Sequence, residues 1–231
     1  MQNTSHAVMS QRIHPLDSPD DFPTPPWATR ALLEHVIEQA RYTQQLACLE
    51  PACGAGHMVK VLQDYFGKVT ALDAFEYGYG ERSDFMKEPY QAGSFDWVIT
   101  NPPFRLAEEF VAKALPIARR GVAILARTVF IESVGRYNNL FSCHPPSKVA
   151  QFTERVPMVK GRLDRSASTA TGYAWIVWEK GSSDPTRLVW IPPCRKKLER
   201  DEDYPAAKST RIVTEKQFDE KELPLAAVHS R

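Results

Sequence analysis

Residues 95–104, Phe-Asp-Trp-Val-Ile-Thr-Asn-Pro-Pro-Phe, decide how the rest of the chain is interpreted. The first six are rich in aromatic and β-branched residues, which predicts a buried strand. The strand must stop at the two prolines, because proline cannot donate to a sheet ladder. The Asn101 side chain and the Pro102 carbonyl are therefore held just beyond the carboxyl end of a strand, where ligands bind in an open α/β sheet.

Two oxygen acceptors and one aromatic ring follow this strand. The amide oxygen of Asn101 and the carbonyl oxygen of Pro102 can accept both hydrogens of one exocyclic amino group. Phe104 offers a flat face on which an aromatic base can stack. The tetrapeptide Asn101, Pro102, Pro103 and Phe104 therefore suits the amino group of a nucleobase, although ordinary turn chemistry between a strand and a helix is the alternative.

A glycine-containing loop lies upstream, between an apolar stretch at 46–49 and a helical pattern at 58–66. Strand, glycine turn and helix make the nucleotide-binding opening of a doubly wound sheet. Gly54 and Gly56 allow positive φ and let a ligand lie against the backbone. The loop has no third glycine and no following Gly-Lys-Ser/Thr, which disfavours a pyrophosphate cradle.

These two segments together resemble class I S-adenosylmethionine-dependent methyltransferases, in particular the enzymes that methylate amino groups of nucleic acids. A third match, 22–27 (Phe-Pro-Thr-Pro-Pro-Trp), resembles the motif that precedes the cofactor loop in gamma-arrangement adenine-N6 methyltransferases of bacteria and phages. The resemblance covers about residues 20–180. It implies an α/β, Rossmann-like class I methyltransferase fold, with a seven-stranded, mostly parallel sheet and an antiparallel edge strand.

The resemblance also implies S-adenosyl-L-methionine as the cofactor and assigns the residues around it. Asp73, which ends the predicted strand 68–73, would take the ribose hydroxyls, although a turn residue or helix cap is the alternative. Asp84, in a predicted third strand at 82–86, would accept from the adenine amino group while Phe85 covers the ring. The complete cofactor set is Thr24, Pro25, Glu50, Pro51, Ala52, Cys53, Gly54, Gly56, Asp73, Asp84, Phe85 and Asn101.

The resemblance implies that the tetrapeptide at 101–104 is the catalytic motif. Methyl transfer from a sulfonium is a direct displacement, so donor and acceptor must be aligned. The lone pair of an adenine amine is delocalised, and acceptors on both amino hydrogens favour the pyramidal geometry that makes it available. No general base is required. If the substrate is a duplex, the base must be flipped into the pocket.

Charge and composition limit the partners. The net charge is +1, so nucleic-acid binding needs a local basic patch. Lys160, Arg162 and Arg165 form the predicted nucleic-acid-binding site, on a loop at 157–172 between two strands expected as an antiparallel pair at the sheet edge. A solvated loop would have a similar composition. Nucleic acid is the expected partner, with DNA favoured over RNA, and a protein partner is possible.

The 231 residues fit one domain with extensions: an arm at 1–20, a catalytic domain at 21–191 and a charged, mobile tail at 192–231. In that domain Thr24 is the predicted N-cap of a helix whose first residue is Pro25. No apolar run reaches membrane-spanning length. The four cysteines show no metal-ligand or disulfide spacing, so we expect no metal and a reducing, cytoplasmic setting.

The first hypothesis is therefore a compact DNA adenine-N6 methyltransferase without a separate target-recognition domain. An RNA adenine-N6 methyltransferase would use the same tetrapeptide. A protein-glutamine methyltransferase is disfavoured, because tyrosine rather than Phe104 would be expected there. An inactive partner subunit is also disfavoured, since cofactor loop, ribose carboxylate and catalytic tetrapeptide are all present.

Overall fold

The computed structural model describes residues 20–37 and 40–204, with the backbone alone at 40–42. The strands of this part are β1 Ala47–Glu50, β2 Lys68–Asp73, β3 Glu81–Arg82, β4 Phe95–Thr100, β5 Ala118–Arg127, β6 Lys148–Phe152, β7 Tyr173–Glu179 and β8 Arg187–Ile191. Its α-helices are α1 Pro26–His35, α2 His57–Tyr65, α3 Ala107–Ile117, α4 Val134–Arg136 and α5 Arg195–Leu198. Short 3₁₀ turns span Ala40–Gln45, Thr128–Ile131 and Asp201–Asp203, and a π-helical turn spans Tyr137–Phe141.

All eight strands form one sheet in the order β3-β2-β1-β4-β5-β7-β6-β8. The five strands from β3 to β5 are parallel, and β7 runs antiparallel to both β5 and β6. The chain leaves β1 toward β2 and later returns to the other side of β1 through β4. This reversal is a topological switch point, where ligands of doubly wound sheets bind.

The sheet is covered on both faces, which explains the apolar central strands. Trp97 and Ile99 of β4 belong to a core shared with α1 and α2, whereas Val98 belongs to a second core shared with α3. The alternation follows from the two-residue period of a strand. A three-layer α/β/α arrangement results, and it places the end of β4 between two packed helical layers.

The predicted Rossmann-like, mostly parallel fold is confirmed, with two corrections. The sheet has eight strands rather than seven, and the antiparallel strand β7 lies inside it rather than at its edge. The eighth strand is β8, which pairs in parallel with β6, and β7 lies inside the sheet because it pairs with both β5 and β6. Within β8, Ile191 is buried while Leu188 and Trp190 remain exposed, so this short segment supplies a sheet edge.

Two predicted element boundaries are also wrong. Helix α1 begins at Pro26, and Pro25 is extended with ψ 131°, because a residue that precedes proline is driven out of the helical region. The Thr24 hydroxyl therefore makes no capping bond. Strand β3 ends at Arg82, so Asp84 and Phe85 lie in the turn that follows it.

The chain beyond β8 continues to fold onto α1. Arg30 donates to both carboxylate oxygens of Asp203 at 2.7 and 2.8 Å and to the Leu198 carbonyl at 2.8 Å. The side chains of this ion pair are almost fully buried. The predicted start of the tail at residue 192 is therefore too early. The predicted arm up to residue 19 and the rest of the tail, 205–231, lie outside the described residues.

Candidate active site

A cavity of about 290 Å³ opens at the carboxyl ends of β1, β2 and β4, at the switch point of the sheet. Most of the residues predicted from the sequence line it: Thr24, Glu50, Pro51, Ala52, Cys53, Gly54, Asp73, Asp84, Phe85, Asn101 and Pro103. Four predicted residues lie outside its lining: Pro25, Gly56, Pro102 and Phe104. The structure thus brings segments from five parts of the chain to one place.

The two glycines of the loop have different roles. Gly54 has φ +51°, and a Cβ there would meet only an Asp21 oxygen at 3.8 Å, so this residue leaves space beside the cavity. Gly56 has φ +79° and precedes α2, and a Cβ there would lie 2.5 Å from the Tyr79 ring. Gly56 is therefore required by its packing against Tyr79, and it does not line the cavity.

Glu50 has a fully buried carboxyl group, one oxygen of which lacks a hydrogen-bond partner. Its Oε1 accepts from the Thr100 hydroxyl at 2.7 Å and from the Ala52 N–H at 3.1 Å, whereas Oε2 has no hydrogen-bond partner. Burial raises the pKa of this carboxyl to about 8. A buried acceptor without a partner costs free energy, and a bound cationic group would remove that cost.

Asp73 joins the glycine loop to the end of β2. Its Oδ2 accepts from the Gly54 N–H and its Oδ1 from the Phe75 N–H, both at 2.9 Å. Burial raises its pKa, although the same N–H groups oppose that shift. A carboxylate has about four lone-pair sites, so these two bonds leave room for ligand hydroxyls.

Asp84 and Phe85 line the cavity from the turn after β3. Phe85 is buried against Phe110 with ring centroids 5.0 Å apart. Asp84 accepts from the Met86 N–H at 3.0 Å and pairs with Lys87. Although partial burial raises the pKa of Asp84, the bonds from Lys87 and Met86 outweigh it and lower the pKa overall.

Asn101 presents a single free acceptor. Its Nδ2 donates to the Phe22 carbonyl at 2.8 Å, while its buried Oδ1 has no partner. The hydrogen-bond network thus fixes which end of the amide is available. The Oδ1 atom is the group that the sequence predicts for the amino hydrogens of a target base.

Phe104 is held by residues from three other segments. Its N–H donates to an Asp20 carboxylate oxygen at 2.8 Å. The Phe22 ring stacks on it at 5.6 Å and 28°, and the Arg127 guanidinium lies 4.7 Å from its centroid. Tyr173 lies farther away, at 6.4 Å.

Sequence reasoning missed several residues that line the cavity. Asp20, Asp21 and the half-exposed Phe75 are examples. Asp20 was assigned to the arm, although it lies only two residues before Phe22, where the motif that resembles a cofactor-site segment begins. Phe75 lies two residues beyond Asp73, and an aromatic residue so close to a predicted ribose ligand was an available signal.

The three basic residues predicted for nucleic-acid binding do not line the cavity, and each of them has an acidic neighbour. Arg165 pairs with Glu199 at 3.1 Å and with Asp201 at 2.8 Å, and Arg162 pairs with Asp164 at 3.2 Å. The Gly161 N–H donates to the Asp21 carbonyl at 2.9 Å, which ties this loop to the segment before α1. Their binding of nucleic acid stays a prediction.

Comparison with known proteins finds relatives by structure alone. No family model matches the sequence, and no curated protein does. A class I S-adenosylmethionine-dependent methyltransferase of Listeria monocytogenes superposes with a TM-score of 0.53 at 10% identity, over 76% of this chain and 67% of that one. The chain has the class I methyltransferase fold. The name of that class states the cofactor its members use, S-adenosylmethionine.

Two further structures have the same fold. The methyltransferase subunit of a type I restriction-modification system from Streptococcus thermophilus gives a TM-score of 0.56 at 11% identity, over 80% of this chain. This chain spans only 50% of that subunit. An RNA methyltransferase of Pyrococcus horikoshii gives 0.52 at 16% identity, over 73% of this chain and 93% of that one. Within the described residues of this chain, no helix is long and apolar enough to cross a membrane.

Proposed function

We propose that the protein transfers a methyl group from S-adenosyl-L-methionine to the N6 amino group of adenine in DNA. The observation that carries the proposal is the buried, unpartnered Oδ1 of Asn101. It follows the end of a central strand and lines the same cavity as the glycine loop. A buried acceptor without a partner is costly, so its retention beside a ligand-sized cavity indicates a ligand that donates to it.

The residues present fit the proposed cofactor. Glu50 Oε2 is an unpaired acceptor for a cationic amino group, and Asp73 can accept from ribose hydroxyls at the adjacent strand end. Phe75 and Phe85 supply apolar surface for a purine. The cavity, at about 290 Å³, is close to the lower end of ordinary ligand sites, about 300 Å³. When bound, S-adenosylmethionine supplies an electrophilic methyl group.

The chain's own part in the reaction is to hold the acceptor amine. Asn101 Oδ1 and the Pro102 carbonyl would accept the two amino hydrogens, and this favours a nitrogen lone pair directed at the methyl group. The Phe22 carbonyl fixes the Asn101 amide, so no reorganisation is needed as charge develops.

DNA is proposed over RNA on two grounds. The resemblance of the segments at 22–27, 50–56 and 101–104 is to enzymes that act on DNA adenine, and one structural neighbour is the methyltransferase subunit of a restriction-modification system. Another neighbour is described as an RNA methyltransferase, so RNA is the second candidate. Either activity would suit a reducing, cytoplasmic setting, since the four cysteines are unpaired. Sequence choice would come from loops of this chain or from a protein partner.

The test is a methylation assay with isotope-labelled S-adenosylmethionine. Plasmid DNA from a host without adenine methylation and total RNA are supplied separately, and the product nucleosides are identified by chromatography and mass. We expect N6-methyldeoxyadenosine from DNA, absent with Asn101→Ala. Label confined to RNA adenosine would select the second candidate, and label in neither nucleic acid would overturn the proposal.

A further inference from the structure

The loop at residues 128–141, called here the β5 loop, lies beside the catalytic motif. It follows directly on β5, whose neighbour in the sheet is β4, and Thr100 of β4 pairs with Ile124 of β5. Phe104 and Pro102 share a small cavity with Val129 and Phe130 of the loop. Any molecule that reaches the catalytic motif from this side therefore meets the β5 loop.

The β5 loop is a built structure with its own anchors. Phe130 and Leu140 are buried in the core that includes α3, and Phe130 packs edge-on against Phe141 at 5.9 Å. The Arg136 guanidinium lies 4.6 Å from the Phe130 ring and donates to the Phe130 carbonyl at 3.1 Å. The loop ends in a π-helical turn, a feature frequent at functional sites.

The β5 loop exposes four large apolar side chains. Val129, Ile131, Val134 and Tyr137, called here the apolar ridge, are exposed by 52, 45, 81 and 61%. They are four of the eight large exposed hydrophobic residues among the described ones, and they fall within nine consecutive positions. Scattered exposed apolar residues need no explanation, but such a concentration marks an interaction surface.

The charge around the ridge favours nucleic acid as its partner. Arg127 precedes the ridge and Arg136 lies within its span, and Glu132 is the one carboxylate between these two arginines in the sequence. The Arg127 guanidinium already lies at the Phe104 ring. Arginine side chains of this kind contact phosphates, which sets the position of a protein on a duplex.

We propose that the apolar ridge is a wedge that enters duplex DNA where the target adenine has left the stack. Proteins that open a base step insert apolar side chains into it, and enzymes that act on a base must extrude it. Arg127 and Arg136 would then contact the phosphates on either side of the gap. This inference rests on the proposed function and adds the surface through which the duplex is opened.

The first test compares duplex and single-stranded substrate. In Ile131→Ser/Val134→Ser/Tyr137→Ser, we expect the methylation rate on duplex plasmid to fall by about tenfold or more, because the gap is no longer filled. On the same plasmid after heat denaturation, the rate should stay close to that of the parent. The matched control Leu188→Ser/Trp190→Ser removes two equally exposed apolar residues from the distant strand β8 and should change neither rate.

The second test needs no methyl transfer. Fluorescence anisotropy compares an intact duplex with the same duplex carrying one abasic site, both with S-adenosylhomocysteine present. The parent should prefer the abasic duplex, because the gap is already open, and the triple variant should lose that preference. This binding measurement tests the wedge even if the parent methylates neither DNA form. Absence of methylation on both forms would overturn the proposed function separately.

Three outcomes would overturn the wedge. Equal rates of triple variant and parent on duplex, with equal preference for the abasic site, would assign the ridge to a protein partner. If the methylation rate of the triple variant falls equally on duplex and on denatured DNA, the ridge contributes to the stability of the active site instead. If the parent itself does not distinguish the two duplexes, the ridge has no part in opening DNA.

Discussion

The two halves of the candidate site are assembled in different ways. On the cofactor side, neighbouring strand ends bond to each other, as Gly54 does to Asp73 over 19 residues of sequence. On the target side, Asn101 and Phe104 depend on Phe22 and Asp20, which lie 79 and 84 residues away. The cofactor half is therefore a local property of the fold, whereas the target half requires a distant segment to dock correctly.

The largest stability effect is expected on the cofactor side, at Gly56. Gly56→Ala introduces left-handed strain of about 1–2 kcal/mol and an overpacking cost of about 1–3 kcal/mol against Tyr79. The matched control is Gly78→Ala, which has a similar φ of +73° but nothing within 4 Å, so only the strain remains. Urea unfolding of both variants measures the difference, and equal losses would show that the loop is not tightly packed.

Asp73→Ala should weaken S-adenosylmethionine binding by about 1.5–3 kcal/mol, the range of a hydrogen bond to a charged group. The loss has two sources, the ribose contact and the anchoring of Gly54 to β2. Isothermal titration calorimetry measures it. Unchanged affinity would show that Asp73 is only a turn residue.

Glu50 should make the stability of the free protein fall as pH rises. Its carboxyl has a pKa of about 8 in the folded state and about 4.5 in the unfolded chain. Between these values the folded state holds a proton that the unfolded state has lost, so the free energy of unfolding decreases with rising pH by about 1.4 kcal/mol per unit. Glu50→Gln should remove this slope in urea titrations between pH 5 and 8. Parallel curves for parent and variant would contradict the buried, protonated carboxyl.

The basic loop should have the smallest effect. Three lost phosphate contacts would lower the log–log salt slope of DNA binding by about 2.7. Because Arg162 and Arg165 are already paired with carboxylates, we expect Lys160→Ala/Arg162→Ala/Arg165→Ala to lower the slope by less than this full amount. Lys180→Ala, at the opposite end of the sheet, is the control. A slope reduced by the full amount would mean that these ion pairs open on binding.

The sequence predicted the residues at the strand ends, but not the contacts that a distant segment makes with the target side. Strand ends can be predicted from glycine, proline and acidic residues that follow apolar runs. For this reason the sequence predicted the glycine loop, Asp73 and Asn101. The role of Asp20 and the stacking of Phe22 on Phe104 could not be found, because both contacts join segments far apart in sequence. β8 was missed for a different reason. Its Leu188 and Trp190 are exposed on a sheet edge, so the segment has no clear buried pattern.

The N-terminal segment offers a way to separate the two halves. Asp20→Ala removes the acceptor for the Phe104 N–H and leaves the glycine loop untouched. We expect the methylation rate to fall by about tenfold or more, the value of one charge-assisted hydrogen bond, and the S-adenosylmethionine affinity to fall by less than the rate. If both quantities fall equally, the two halves are a single unit.

The central claim is that Asn101 acts on the acceptor amine, and one pair of measurements on Asn101→Ala tests it. Single-turnover methylation of plasmid DNA gives the rate, and calorimetry with S-adenosylmethionine gives the affinity. Loss of one such hydrogen-bonding group should lower the rate by about 10²–10³-fold while the affinity stays within a few fold of the parent. A variant that retains near-parent turnover would contradict the assignment of Asn101.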